Sequence, residues 1–429
     1  MSQTIGRLAF MMGGLALWGV PAAAQERDTT ELARIEAQLE AITHELEELR
    51  LGRDVVVEAD TSVLGFGPAA SKVYKVRQGV SIGGYGEVLY ENFAGETEGD
   101  APSGLTDRLD ALRAIVYVGY KFSDKILFNS EIEFEHGNTA NSGSVAVEFA
   151  YLDYRFSPQF GVRAGLLLPP MGFINEIHEP PTFLGARRPE TERQIIPSTW
   201  RESGIGVFGG TESVNYRAYL VNGFDATGFS AAGIRSGRQN GSEADAENFG
   251  LVGRVDYTGV LGLTVGTSAY VGNSGQGAML PSDPAATIGA RTVIWEGHAE
   301  YKVRGFDLRG LLALASLDDA AEINALNELT GAGSVGDRML GWYLQGGYDV
   351  LRGRSAHQLI PYIRYEQLNT QDQVPDGFAA DPATDRRVVT VGGMWKPLPN
   401  VALKADYQIT SNAADTGVNQ LNVNLGYLF

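Results

Sequence analysis

The stretch Lys125-Ile126-Leu127-Phe128-Asn129-Ser130-Glu131-Ile132-Glu133-Phe134-Glu135 sets Ile126, Phe128, Ile132 and Phe134 on one parity and Lys125, Asn129, Glu131, Glu133 and Glu135 on the other. Successive side chains of an extended strand point to opposite faces, so a period of two describes a sheet with one apolar and one polar face. The same alternation precedes it in Leu112, Ala114, Val116, Val118, Tyr120 and Phe122, set against Arg113, Tyr117 and Lys121. It continues to the end of the chain, closing on Leu421, Val423, Leu425, Tyr427 and Phe429.

Sixteen such segments are predicted, near 80–91, 109–122, 125–137, 145–156, 159–168, 203–211, 213–222, 247–258, 262–273, 291–303, 305–317, 339–351, 357–368, 386–396, 401–411 and 418–429, with eighteen as the alternative count. Each has about the 9–11 residues that cross a bilayer at a tilt, or slightly more. Tight turns such as Ser123-Asp124 and Ser157-Pro158 alternate with long polar links such as 92–108, 223–246 and 318–338. That alternation describes an outer-membrane barrel whose short turns are periplasmic. Lipid cannot satisfy backbone N–H and C=O groups, so a spanning sheet must close on itself. The expected fold is therefore all-β: a transmembrane antiparallel β-barrel over 79–429. Aromatic residues near strand ends, among them Tyr120, Phe122, Tyr154, Phe156 and Tyr257, suit interfacial girdles.

Residues 1–24 carry Arg7 as their one charge, an apolar run from Leu8 to Val20 and a small-residue site at Ala22-Ala23-Ala24, the pattern of a signal peptide. No later run approaches the ~20 apolar residues of a spanning helix. Between Leu32 and Leu49 the large aliphatics Leu32, Ile35, Leu39, Ile42, Leu46 and Leu49 follow a heptad seam, so 25–53 reads as a coiled-coil helix. Leu at one seam position and Ile at the other favours more than two strands, in keeping with a homotrimer; the alternative is a stripe packed on the chain's own barrel. Residues 54–78 have no firm period and read as a linker.

The chain has 429 residues, 54 glycines, no cysteine and a net charge of −18. The acidic balance argues against nucleic acid as a partner, since phosphates attract basic surfaces. Without cysteine there is neither a disulfide framework nor a thiolate metal site. Enzyme signatures are weak: Gly84-Tyr85-Gly86 lies within a strand with no following helix, and no Gly-x-Ser-x-Gly elbow occurs. His178, between Glu176 and Glu179, could bind a metal, but on a loop it reads rather as a solvated histidine, and neither metal nor cofactor is expected.

With the apolar parity towards lipid, the lumen receives Arg113, Lys121, Arg163, Arg217, Arg254, Arg309 and Lys404, alongside acids such as Glu131, Glu133, Asp153, Asp256, Glu300, Glu366 and Asp406. Wall charge and width are what give a pore its selectivity. The connection 169–203 stands apart: it is long and proline-rich, and it sets Arg187, Arg188, Arg193 and Arg201 among Glu190, Glu192 and other acids.

The ending Asn422-Val423-Asn424-Leu425-Gly426-Tyr427-Leu428-Phe429 resembles the C-terminal strand of Gram-negative outer-membrane proteins, whose terminal Phe is read by the barrel-assembly machinery; Phe429 is the corresponding residue here. The order of signal, coil and barrel is similar to the phosphate-selective porin O and P family. That resemblance implies a passive channel for small hydrophilic solutes or ions, anions such as phosphate among them, in the outer-membrane lipid. The connection 169–203 resembles the loop that folds inward and narrows the channel of general porins, the alternative being an outward loop over a trimer interface. Two other readings stay open: an envelope tether whose coil binds peptidoglycan, and a barrel enzyme.

Overall fold

The computed structural model describes residues 34–43, 57–140 and 142–429; the expected signal peptide and the seam residues Leu32, Leu46 and Leu49 lie outside them. Sixteen antiparallel strands close into one barrel. They are β1 (Gly79–Phe93), β2 (Arg108–Lys121), β3 (Ile126–Glu135), β4 (Val145–Ser157), β5 (Phe160–Leu167), β6 (Glu202–Gly210), β7 (Val214–Asn222), β8 (Phe249–Val260), β9 (Leu263–Asn273), β10 (Arg291–Val303), β11 (Phe306–Leu317), β12 (Arg338–Tyr348), β13 (Gln358–Gln373), β14 (Asp385–Leu398), β15 (Val401–Asn412) and β16 (Gln420–Leu428). The count is sixteen, not eighteen, because the 274–290 connection carries only a small separate hairpin, Met279–Leu280 with Asp283–Thr287.

Each strand pairs with its sequence neighbours, and β1 pairs with β16 to close the ring, Tyr85 opposite Leu428 and Phe93 opposite Gln420. Phe429 extends this seam: its N–H donates to Gly84 O at 2.9 Å and its carbonyl accepts from Gly84 N at 3.0 Å. The two glycines of Gly84-Tyr85-Gly86 belong to this closure. A Cβ on Gly84 would run into the Phe429 ring and one on Gly86 into Tyr427, so the seam closes only where those side chains are missing.

Alternation sets the two faces. In β16, Leu421, Val423, Leu425 and Tyr427 are exposed while Gln420, Asn422 and Asn424 are buried, and the backbone groups between them are spent on neighbouring strands. Aromatic pairs collect near the tight-turn end, Tyr120 with Phe122, Tyr154 with Phe156, and Phe306 with Tyr348, at centroid distances of 4.8, 4.6 and 4.7 Å.

The inner wall is not uniformly polar. Ile115, Tyr117, Leu127, Phe149 and Tyr151 of β2–β4 point inward and are buried. What covers them is the stretch expected to be a linker. Residues 57–78, with the short helix α1 (Lys72–Lys75), fold into the lumen and bury Phe66, Ala69, Ala70, Val73 and Val76. Phe66 lies 5.3 Å from Phe149 and 5.4 Å from Tyr151, centroid to centroid. Asn129 Nδ2 donates to Ala70 O at 3.0 Å, and Tyr74 donates to Asp153 at 2.8 Å. The linker reading is corrected for a physical reason: an apolar inner wall facing water would be costly, and this segment removes it from water.

Residues 34–43 are helical and leave Ile35, Leu39 and Ile42 exposed.

Candidate functional site

The long connection 169–203 enters the lumen and is fastened to the wall on several sides by side chains that alternate inward from the strands. Asp406 of β15 accepts from Ala186 N at 2.7 Å, while Lys404 donates to Gly185 O at 2.8 Å. On β13, Glu366 accepts from Thr191 N at 3.2 Å. Arg254 of β8 donates to Gly172 O. Glu179 of the loop accepts from Ala69 N and Ala70 N, both at 3.0 Å, joining the loop to the inward N-terminal segment.

Each sequence-predicted constriction residue has a definite place. Arg187 bridges to Glu91 of β1. Arg188 is half-buried, and its buried Nη2 has no hydrogen-bond partner among the described residues. Glu190, on the short helix α2 (Glu190–Gln194), pairs with Arg193 at 3.0 Å and with Arg386 at 3.6 Å. Burial opposes its charge, but Arg193, Arg187 and Arg386 together hold the Glu190 carboxyl down at about 2. Glu192 is wholly buried and accepts from Phe173 N and Ile174 N, both at 2.8 Å, and from the Tyr343 hydroxyl at 2.7 Å. Arg201 reaches Glu148 at 3.1 Å.

The strand cations expected in the lumen face inward, and most are already paired. Arg113 lies 3.1 Å from Glu87, and Arg163 grips Asp153 through Nε and Nη2 at 2.7 and 2.8 Å. Arg217 bridges Glu176 and Asp256 at 3.1 and 3.0 Å. Arg254 pairs with Asp256 at 2.8 Å, and Arg309 with Glu300, its Nε at 3.0 Å. Lys121 donates to Val76 O at 2.9 Å.

The loop and residues 57–78 fold into the barrel, and two of the cavities that remain among the described residues lie towards its opposite ends. One, of about 650 Å³, lies at the tight-turn end among Phe173, Leu184, Glu300, Lys302, Asp307 and Lys396. The other, of about 340 Å³, lies towards the long loops among Arg113, Arg187, Arg188, Glu190, Arg193 and Arg235. The charged face of 187–193 thus borders the second chamber, and the apolar face around Phe173 and Leu184 borders the first.

His178 is not solvated: it is 2% exposed and sits between Glu131 and Glu148, 3.2 Å from an oxygen of each. Strict alternation would turn Glu148 towards lipid. The β3–β4 register shifts instead, Glu131 opposing Phe149 and Ile132 opposing Val147, so Glu148 is the extra residue of a bulge and turns inward beside Phe149. The only sequence signal for it was a glutamate on an otherwise apolar parity.

No family model matches the chain. It is 41% identical over 365 residues to a protein of Aquifex aeolicus (strain VF5) described as uncharacterized, a match covering 82% of this chain and 80% of that one. Among solved structures, a loop L8 deletion mutant of the Vibrio cholerae outer membrane protein OmpT superposes with a TM-score of 0.53 at 14% identity, over 82% of this chain and 100% of that one. Salmonella typhi OmpF, solved with daunomycin, also gives 0.53 at 14% identity, over 82% and 98%. The outer membrane channel DcaP of Acinetobacter baumannii gives 0.50 at 12% identity, over 82% and 97%. These likenesses are of fold, a porin-like outer-membrane barrel, and the chain belongs to the same family as the Aquifex aeolicus protein.

Proposed function

We propose that the chain forms an outer-membrane channel for small hydrophilic anions, with 169–203 as its constriction and inorganic phosphate as the first solute to test. The observation that carries this reading is the chamber on the long-loop side. Arg108, Arg113, Arg187, Arg188, Arg193 and Arg235 line it. Of its five carboxylates, Glu87, Glu91 and Glu190 are engaged by arginines, Asp110 by His136 and Glu135 by the Ser144 hydroxyl, while the half-buried Arg188 keeps a buried Nη2 without a partner among the described residues. A fixed charge at a narrow, partly desolvated point acts through a lower effective dielectric than one on the outer surface. The local excess of arginine therefore outweighs the overall charge of −18, much of which sits outside this chamber.

Association of three copies through the seam of 25–53 and recognition of Phe429 during barrel assembly complete the proposal. The exposure of Ile35, Leu39 and Ile42 supports the first, and the hydrogen bonds of Phe429 at the closing seam support the second.

Planar-bilayer recording in a salt gradient is the test. The wild type should conduct with an anion-selective reversal potential, and R187Q/R188Q/R193Q should shift that potential towards cations while keeping the fold. Charges on an outer surface would be screened within ~8–10 Å and would leave permeating ions unaffected. An unchanged reversal potential would put the loop outside the conducting path, and a silent barrel would remove the channel reading itself.

A further inference from the structure

The environment of His178 is chemically incomplete as it stands. Its Nδ1 faces the Asn175 carbonyl oxygen at 3.2 Å, so that nitrogen carries a proton, and Nε2 is directed at both Glu131 and Glu148. Two carboxylates thus converge on one ring nitrogen. Both Glu131 Oε2 and Glu148 Oε2 are buried without hydrogen-bond partners. Even with a proton on Nε2, one N–H cannot point along two directions, and 3.2 Å is long for a charge-assisted bond, which typically spans about 2.7–2.9 Å.

A metal ion resolves all of these features together. A tetrahedral ion with bonds of about 2.0–2.1 Å places its ligand atoms about 3.3–3.4 Å apart, close to the spacings found from Nε2 to each carboxylate. A donor atom from each of the three residues lies within 4.8 Å of the others. A ligating imidazole ordinarily donates its other N–H to a carbonyl or carboxylate, the role that Asn175 O fills. Arg201 holds Glu148 through Oε1 at 3.1 Å, leaving Oε2 for the site. The bulge that turns Glu148 inward is the kind of irregularity used to aim a side chain at a site.

We propose that Glu131 of β3, Glu148 of β4 and His178 of the inward loop bind one divalent first-row transition-metal ion, zinc being the probe, and that the ion pins the loop to the wall. One imidazole nitrogen with two carboxylates is a donor set that suits zinc, manganese or iron(II) rather than calcium or magnesium, which favour oxygen-only ligands. The site does not depend on which solute the barrel passes.

The experiment uses the full mature chain, folded into detergent, stripped with EDTA and titrated with Zn2+ by calorimetry, with metal content measured after dialysis. One zinc per chain is expected in the wild type and in H136Q, whose imidazole lies elsewhere on Asp110. Loss of that zinc is expected in both E131Q and H178Q. E131Q nearly conserves volume, and heat-modifiable mobility on gels confirms that each variant folds. X-ray absorption of the zinc-loaded protein should show a single imidazole among oxygen ligands. A wild type that holds no stoichiometric zinc, or an H178Q variant that keeps it, would overturn the proposal and leave His178 as an imidazolium shared by two glutamates.

Discussion

Replacing Glu192 with alanine should release the inward loop without opening the barrel. The carboxylate is wholly buried and ties three donors together: the amides of Phe173 and Ile174 on the incoming arm of the loop, and the hydroxyl of Tyr343 on β12. Glu192→Ala removes all of these acceptors, and no other side-chain acceptor is bonded to those two amides among the described residues. A buried donor left unsatisfied costs about 1–3 kcal/mol. Even at the lower end, three such donors weaken the local structure by ~3 kcal/mol, a factor of about 100 in the opening equilibrium. Amide hydrogen exchange of the folded protein reads this directly, since the protection of Phe173 and Ile174 follows the free energy of local opening. Both should exchange about 100-fold faster in the variant, while amides of β16 on the closing seam stay as slow as in the wild type. Glu192→Gln, which keeps one acceptor oxygen, should fall between the two. Equal protection in wild type and alanine variant would show that Glu192 does not hold the arm, and the account of how the loop is fastened would fail with it.

Three further outcomes are expected. Deleting Phe429 removes both hydrogen bonds with Gly84 at the seam, so the yield of folded, heat-modifiable protein should drop severalfold while any barrel that does fold conducts normally; an unchanged yield would refute the role of this residue in assembly. Removing residues 26–53 should weaken the oligomer seen by sizing in mild detergent yet leave each barrel able to conduct, and an oligomer of undiminished stability would mean that the seam is not used between chains. The ion-pair cluster of α2 should outlast ordinary carboxylates in acid: the Glu190 carboxyl is depressed from its usual 4.5 to about 2, so its contribution is present above the unfolded value and is lost only as pH falls through about 2. Exchange protection of 190–195 that collapses already near pH 4 would contradict that pairing.

How much of this was legible in the sequence follows from what a period of two can encode. Parity along a strand fixes which side chains face lipid, and it placed Arg113, Arg163, Arg217 and Asp406 inside because each sits opposite an unbroken apolar set. Parity fails where the chain inserts a residue: period two alone turns Glu148 towards lipid, and the one trace of the bulge is that a glutamate falls on an otherwise apolar parity. Parity is also silent about what fills a barrel. The apolar residues of 57–78, Phe66, Val73 and Val76, have no common spacing because they touch different strands in turn, and irregular chain packed against a curved wall has no period of its own. The clue lay on the wall. In β2 and β4, Ile115, Tyr117, Phe149 and Tyr151 share the polar parity, and a strand apolar on both faces requires cover on both. Lipid covers one face, and in a closed barrel only another part of the chain or a ligand can cover the other. Where that wall ends, at Glu131 and Glu148, the cover ceases to be apolar and becomes His178 and Arg201 of the inward loop. The inner residues of β2–β4 therefore specify the plug as firmly as their outer residues specify the membrane. A polar substitution at Phe149 should accordingly loosen residues 63–76 while leaving strand pairing intact.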